Sequence, residues 1–201
     1  MKSEFGQLNI AQMFNFTSYP RCKLLILTCL VEGIVLVVAL IIARYYGLKL
    51  VPLTQSVFRD IVIGTLGAVV PLALFMLLLS KKADGIPLLG SLKSLIIIDI
   101  KAIFSEAKLP DLCIISAFAG LAEELLFRGV IQVKLGIVGA SIIFGLLHFL
   151  TPAYFIIATL MGFYLGILFQ YYDSLLIPIQ LHFIYDLGAL IYLRYFFSVR
   201  P

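Results

Sequence analysis

Long apolar runs separated by short clusters of charge set the pattern of the chain. Leu24 to Ala43 is long enough to cross a bilayer and holds one charge, Glu32. It ends at Arg44, Tyr45 and Tyr46, the kind of basic and aromatic anchor that marks a bilayer interface. Ile61 to Leu79 is uncharged throughout, contains Pro71 and stops at Ser80, Lys81 and Lys82, which predicts a second, kinked span. Ala83 to Pro110 interleaves the apolar run Leu95 to Ile98 with Lys93, Asp99, Lys101, Glu106 and Lys108. That is too much charge for an easy crossing, and it predicts an interfacial helix and connector.

Pro110 suits a first helical turn, and a helix is predicted through Leu112 to Ile131. Gly136 to Leu150 is a shorter apolar run closed by Thr151 and Pro152, about 22 Å long as a helix. Pro152 to Tyr172 is uncharged and of full spanning length, and Leu175 to Leu193 forms the last run. The pattern therefore predicts an all-α fold, a polytopic transmembrane helical bundle of about six spans plus an interfacial helix. Residues 1–201 form one integral-membrane domain in this reading, without internal repeats.

Composition narrows the classes. At 62% hydrophobic and 13% charged, the chain is far more apolar than soluble domains, which run at about 45–50% and 25%, so a large soluble domain is excluded. With the N-terminus inside, ten basic residues fall on the cytoplasmic side and four on the other, which predicts a multi-pass protein of the cell inner membrane with both termini cytoplasmic. No basic cluster suits nucleic acid. Cys22, Cys29 and Cys113 have no metal-ligand spacing. The segment before Leu24 lacks the order of a secretory signal, so the first helix is expected to stay attached.

The spans carry ionisable residues, and such groups are expensive in a bilayer unless they face protein or water. Both histidines of the chain, His148 and His182, lie in late spans, and Glu123, Glu124 and Arg128 lie in the middle of another. Residues four apart share a helix face, so Glu124 and Arg128 can pair and leave Glu123 aimed elsewhere as the better candidate general base. Asp186 stands one turn from His182 and can orient its ring, while Phe144 can pack beside His148. Two histidines with Glu123, Glu124 or Asp186 also resemble a two-histidine, one-carboxylate zinc centre, so metal-dependent and metal-free water activation both stay open.

Glu-Glu-Leu-Leu-Phe-Arg-Gly at Glu123 to Gly129, Phe-Gly-Leu-Leu-His at Phe144 to His148 and His-Phe-Ile-Tyr-Asp at His182 to Asp186 resemble, in order, the three motifs of the CPBP family. That family comprises CAAX prenyl endopeptidases and bacteriocin-processing or self-immunity membrane proteins. The resemblance covers a core at residues 112–193. It implies an intramembrane endopeptidase in which Glu123 and His148 activate water, with His182 and residue 186 at the oxyanion and Glu124, Arg128 and Phe144 in support. Asp186 replaces the asparagine of the prenyl endopeptidases, and an ionised aspartate cannot donate to an oxyanion. The expected substrate is a membrane-associated peptide or a lipidated, prenylated protein, and no cofactor is expected unless zinc binds. The alternative is a non-catalytic immunity or secretion-partner protein that binds peptides through the same cavity.

Overall fold

The structure, a computed structural model, describes residues 20–80 and 87–197, and the described residues contain helices and no strands. The N-terminal basic residue Lys2 and the loop residues Lys81 and Lys82 of the charge count lie outside them, as do Arg200 and most of the segment read for a signal. Helix α1 is Arg21–Tyr46; α2, Val57–Gly67, and α3, Val69–Leu79, make the second long helix. The chain then forms α4, Pro87–Ser94, a π-helical turn at Leu95–Ile100 and the short α5, Lys101–Ile103. Next come α6, Leu109–Leu126, a second π segment at Phe127–Gln132 and α7, Val133–Leu147. Helices α8, Pro152–Tyr172, and α9, Leu176–Ile191, complete the bundle.

The break between α2 and α3 at Ala68 has a local cause. Pro71 has no N–H to give the carbonyl of Gly67, four residues back, and that carbonyl is instead satisfied by the Tyr164 hydroxyl at 3.0 Å.

Among the described residues five helical stretches are long and apolar enough to cross a membrane, against the expected six or so. The discrepancy lies at Leu109–Leu147, 39 residues of helix interrupted at Gly136. At Gly136 the backbone leaves helical geometry, with φ 72° and ψ 173°, values that only glycine adopts without strain. Beyond that point the chain doubles back, since Phe127 meets Phe144 and Glu123 meets His148, pairs centred on residues 135 and 136. The returning arm, from Gly136 to Leu147, is about 18 Å long, too short for a hydrocarbon core of about 30 Å. It dips into the bundle and turns.

Register shows how deep that turn lies. Arg128 bonds the carbonyl of Gly162 and Gln132 that of Gly166, the same offset of 34 residues, so α8 runs parallel to α6. Pro152 is then level with Phe118, about 14 Å up from the start of α6. The space beneath is filled by the 87–103 helix, whose Leu92, Leu95 and Ile96 pack with Ala153 and Tyr154. Its Lys93 bonds the carbonyl of Ser80, at the end of α3, and its Lys101 that of Phe197, at the far end of the α9 segment. This helix lies along one end of the bundle and does not cross it.

The same end gathers the N-termini of α1 and α6, joined by Arg21 and the buried Asp111 at 2.5 and 2.7 Å. Gly64 packs on Gln180 and Leu72 on Gly188, a constant offset along the chain, so the second long helix runs parallel to α9. Arg21 and Phe197 thus end on one side. At the opposite end Asp60, completely buried, accepts from Thr54, from Ser174 at 2.5 Å and from Arg59 at 2.7 Å, which ties the first loop to the α8–α9 turn.

Candidate active site

Small residues let the site-bearing helices touch. Gly120 on α6 abuts the α9 backbone, where an added Cβ would sit 3.1 Å from both the Ile179 carbonyl and the Phe183 nitrogen. Between α7 and α8, Gly145 meets Thr159 and Gly162 meets Ser141. The close approaches bring residues far apart in sequence to one level of the bundle.

Glu124 Oε1 accepts from Arg128 Nη1 at 2.8 Å and from His182 Nδ1 at 2.7 Å. Arg128 also donates from Nη2 to the Gly162 carbonyl at 3.1 Å and lies over the Phe144 ring, 4.9 Å from its centroid. Its position at the start of the π segment turns the side chain off the regular helical face, so that it reaches both Glu124 and α8. The Nε2 of His182 lies 3.4 Å from Asp186 Oδ2, which leaves that imidazole between two carboxylates.

Glu123 takes another direction, and its Oε2 lies 3.6 Å from His148 Nε2. His148 caps the returning helix, with Nδ1 2.8 Å from the Phe144 carbonyl and its ring stacked on Phe144 at 4.3 Å between centroids. A carbonyl can only accept, so Nδ1 carries the proton and a neutral His148 presents the lone pair of Nε2 toward Glu123.

Exposure divides the group in two. The side chains of Glu124, Arg128 and His182 are 0%, 1% and 9% exposed, whereas those of Glu123, His148 and Asp186 are 15%, 26% and 30% exposed. The first set is a closed brace and the second can meet water or substrate. Asp186 stands in the wall of a cavity of about 770 Å³ that is otherwise mostly apolar, lined from α3, the 87–103 helix, α8 and α9. Among the described residues no three His, Cys, Asp or Glu side chains are grouped so as to hold a metal ion, and all three cysteines are free.

Glu32 is the residue that reading the motifs does not find. Arg21 pairs with Asp111, so α1 runs beside α6 with an offset of 90 residues, and Glu32 is level with residue 122. It lies within electrostatic reach of His182 and Asp186, and Glu123 in turn senses its charge. Its Oε2 is buried without a hydrogen-bond partner. The available signal was its place as the sole charge of the first apolar run.

The fold and these buried polar groups define an integral membrane protein of the helical-bundle class. Residues 105–188 match the family model described as type II CAAX prenyl endopeptidase, Rce1-like. The chain is also similar to the uncharacterized protein YpbD of Bacillus subtilis (strain 168), at 38% identity over 89 residues, 43% of this chain and 47% of that protein. It thus matches about half the length of this curated relative. No solved structure matches the chain.

Proposed function

We propose that the chain is an intramembrane endopeptidase that hydrolyses a peptide bond by water activated between Glu123 and His148. The observation that supports this most is the 3.6 Å approach of Glu123 Oε2, buried and without a hydrogen-bond partner, to His148 Nε2 in the more exposed half of the site. Two acceptors at that spacing can each take one O–H of a single water, which polarises both bonds and aims an oxygen lone pair away from them. Glu123 takes one proton as the water oxygen bonds to the carbonyl carbon. The tetrahedral intermediate then expels the amine, and Glu123 returns the proton to its nitrogen. No step of this scheme is routed through a metal.

The brace of Glu124, Arg128 and His182 holds α6, α8 and α9 in register around that water. Asp186 faces the remaining nitrogen of His182 and keeps the ring oriented. Placement of the reaction within a half-inserted hairpin fits a hydrolase in lipid, because irregular backbone at membrane depth is tolerated where it lines a wet cavity. The large apolar cavity beside Asp186 suits a membrane-embedded or lipid-modified peptide, and the cytoplasmic side is the proposed location of both termini.

The test is cleavage by the purified chain in proteoliposomes of internally quenched apolar peptides, one set carrying a farnesyl thioether and one set without it. Cleavage that disappears in His148→Ala supports the reading. Absence of cleavage of every peptide by the unmodified chain contradicts it.

A further inference from the structure

The tetrahedral intermediate carries its negative charge on the former carbonyl oxygen, and some donor must meet it. Most side-chain N–H groups around Glu123 are already engaged, and Arg128 Nε, buried without a partner, belongs to a side chain only 1% exposed in the closed brace. His182 has Nδ1 on Glu124 and Nε2 facing Asp186; His148 has Nδ1 on the Phe144 carbonyl; Arg128 holds Glu124 and Gly162. Asp186 stands where the prenyl endopeptidases have an asparagine, and an ionised carboxylate offers that oxygen nothing but repulsion.

The hydroxyl next to the His148 ring is also unspent. Tyr154 lies in the first turn of α8, directly after the turn that carries His148, and the two rings are 6.4 Å apart between centroids. Thr151 caps this helix through the Tyr154 backbone N–H at 3.1 Å, and Pro152 stiffens its first turn, so the residue is held on a fixed element. The phenol makes no hydrogen bond among the described residues; the bond to Thr151 is through the backbone N–H. The phenol lies within electrostatic reach of both Asp186 and Glu123, and Tyr154 shares the wall of the apolar cavity with Asp186 and Tyr185.

We infer that Tyr154 is a catalytic residue whose hydroxyl donates to the oxyanion of the tetrahedral intermediate, in place of the amide that this chain lacks at position 186. The inference rests on the endopeptidase reading above. As the water oxygen bonds to the carbonyl carbon, the carbonyl π electrons move to oxygen and the phenol O–H closes on it. When the C–N bond breaks, the oxygen re-forms its double bond, the phenol keeps its proton and Glu123 protonates the amine. A donor that strengthens its contact as charge develops acts on turnover and leaves ground-state binding almost untouched.

The experiment measures kcat and KM on the internally quenched peptides for the unmodified chain, Tyr154→Phe and Tyr171→Phe, with thermal melting of each. Tyr154→Phe is expected to lower kcat by about 10²–10³-fold, the range for loss of one oxyanion donor, with KM within about twofold. Tyr171→Phe, which removes an exposed phenol at the far end of α8 and outside the cavity, is expected to retain kcat. Should Tyr154→Phe fail to fold, 3-fluorotyrosine at position 154 changes the acidity of the phenol alone and must alter kcat. Unmodified cleavage with an unchanged kcat in Tyr154→Phe, or in the fluorinated chain where that is needed, overturns this inference and leaves the endopeptidase reading standing. No cleavage by the unmodified chain overturns both.

Discussion

His182 Nδ1 and Glu124 Oε1 stand 2.7 Å apart, and the same oxygen also holds the guanidinium of Arg128. One buried carboxylate therefore fixes a cation on its own helix and an imidazole far along the chain. Glu124→Gln is expected to strand the Arg128 charge in a fully buried site, a loss of order 3–5 kcal/mol. The check is thermal melting in detergent, where the variant should unfold well below the unmodified chain. An unchanged melting temperature would show that Arg128 has another counter-charge.

Asp186 is placed to orient His182, with a carboxylate oxygen 3.4 Å from Nε2. Asp186→Asn preserves the side chain's size and an accepting oxygen, so it should retain substantial cleavage of the quenched peptides. Cleavage by the unmodified chain should also survive a strong chelator. Loss on chelation that stoichiometric zinc restores would make Asp186 a metal ligand and the reaction metal-dependent.

Glu32 buries a carboxylate oxygen without a partner on the stripe of α1 that faces α6. Replacement by an apolar residue of similar reach removes that unmet group, and Glu32→Leu is expected to stabilise the fold by about 1–3 kcal/mol. Chemical denaturation in mixed micelles measures it. A destabilised variant would mean that Glu32 has a ligand or partner in the native protein.

Much of this arrangement was legible in the chain. Run lengths and charge breaks located every long helix, and the i,i+4 spacings put Glu124 beside Arg128 and His182 beside Asp186. The half-inserted hairpin was not legible, because an apolar run as short as Gly136 to Leu150 reads alike whether it crosses or dips. Its depth depends on the glycine break at Gly136 and on the register of Arg128 and Gln132 against α8. The Glu124–His182 bond and the inclusion of Glu32 depend on which helices lie side by side, and no local spacing encodes that. Tyr154 sits in an uncharged run where nothing separates a cavity-facing phenol from a packing aromatic.

Gly145 on α7 faces α8 so closely that an added Cβ would collide with Thr159 Oγ1 and come within 3.0 Å of the Phe155 carbonyl. Gly145→Ala should push the returning arm and α8 apart, destabilise the chain by about 1–3 kcal/mol and move His148 away from Glu123. Thr159→Ala added to it should recover part of both stability and cleavage. Absence of any recovery in the double variant would show that the Phe155 backbone, and not the threonine, sets the limit.

Glu123→Gln separates a carboxylate that acts on water from one that, like its neighbour Glu124, braces the fold. Purified Glu123→Gln should keep its stability within about 1 kcal/mol of the unmodified chain, because Glu123 has no buried cation of its own, yet lose peptide cleavage by at least about 10³-fold. Cleavage retained in Glu123→Gln, or a collapse in its stability while Glu124→Gln stays folded and inactive, would contradict the account and exchange the roles of the two carboxylates.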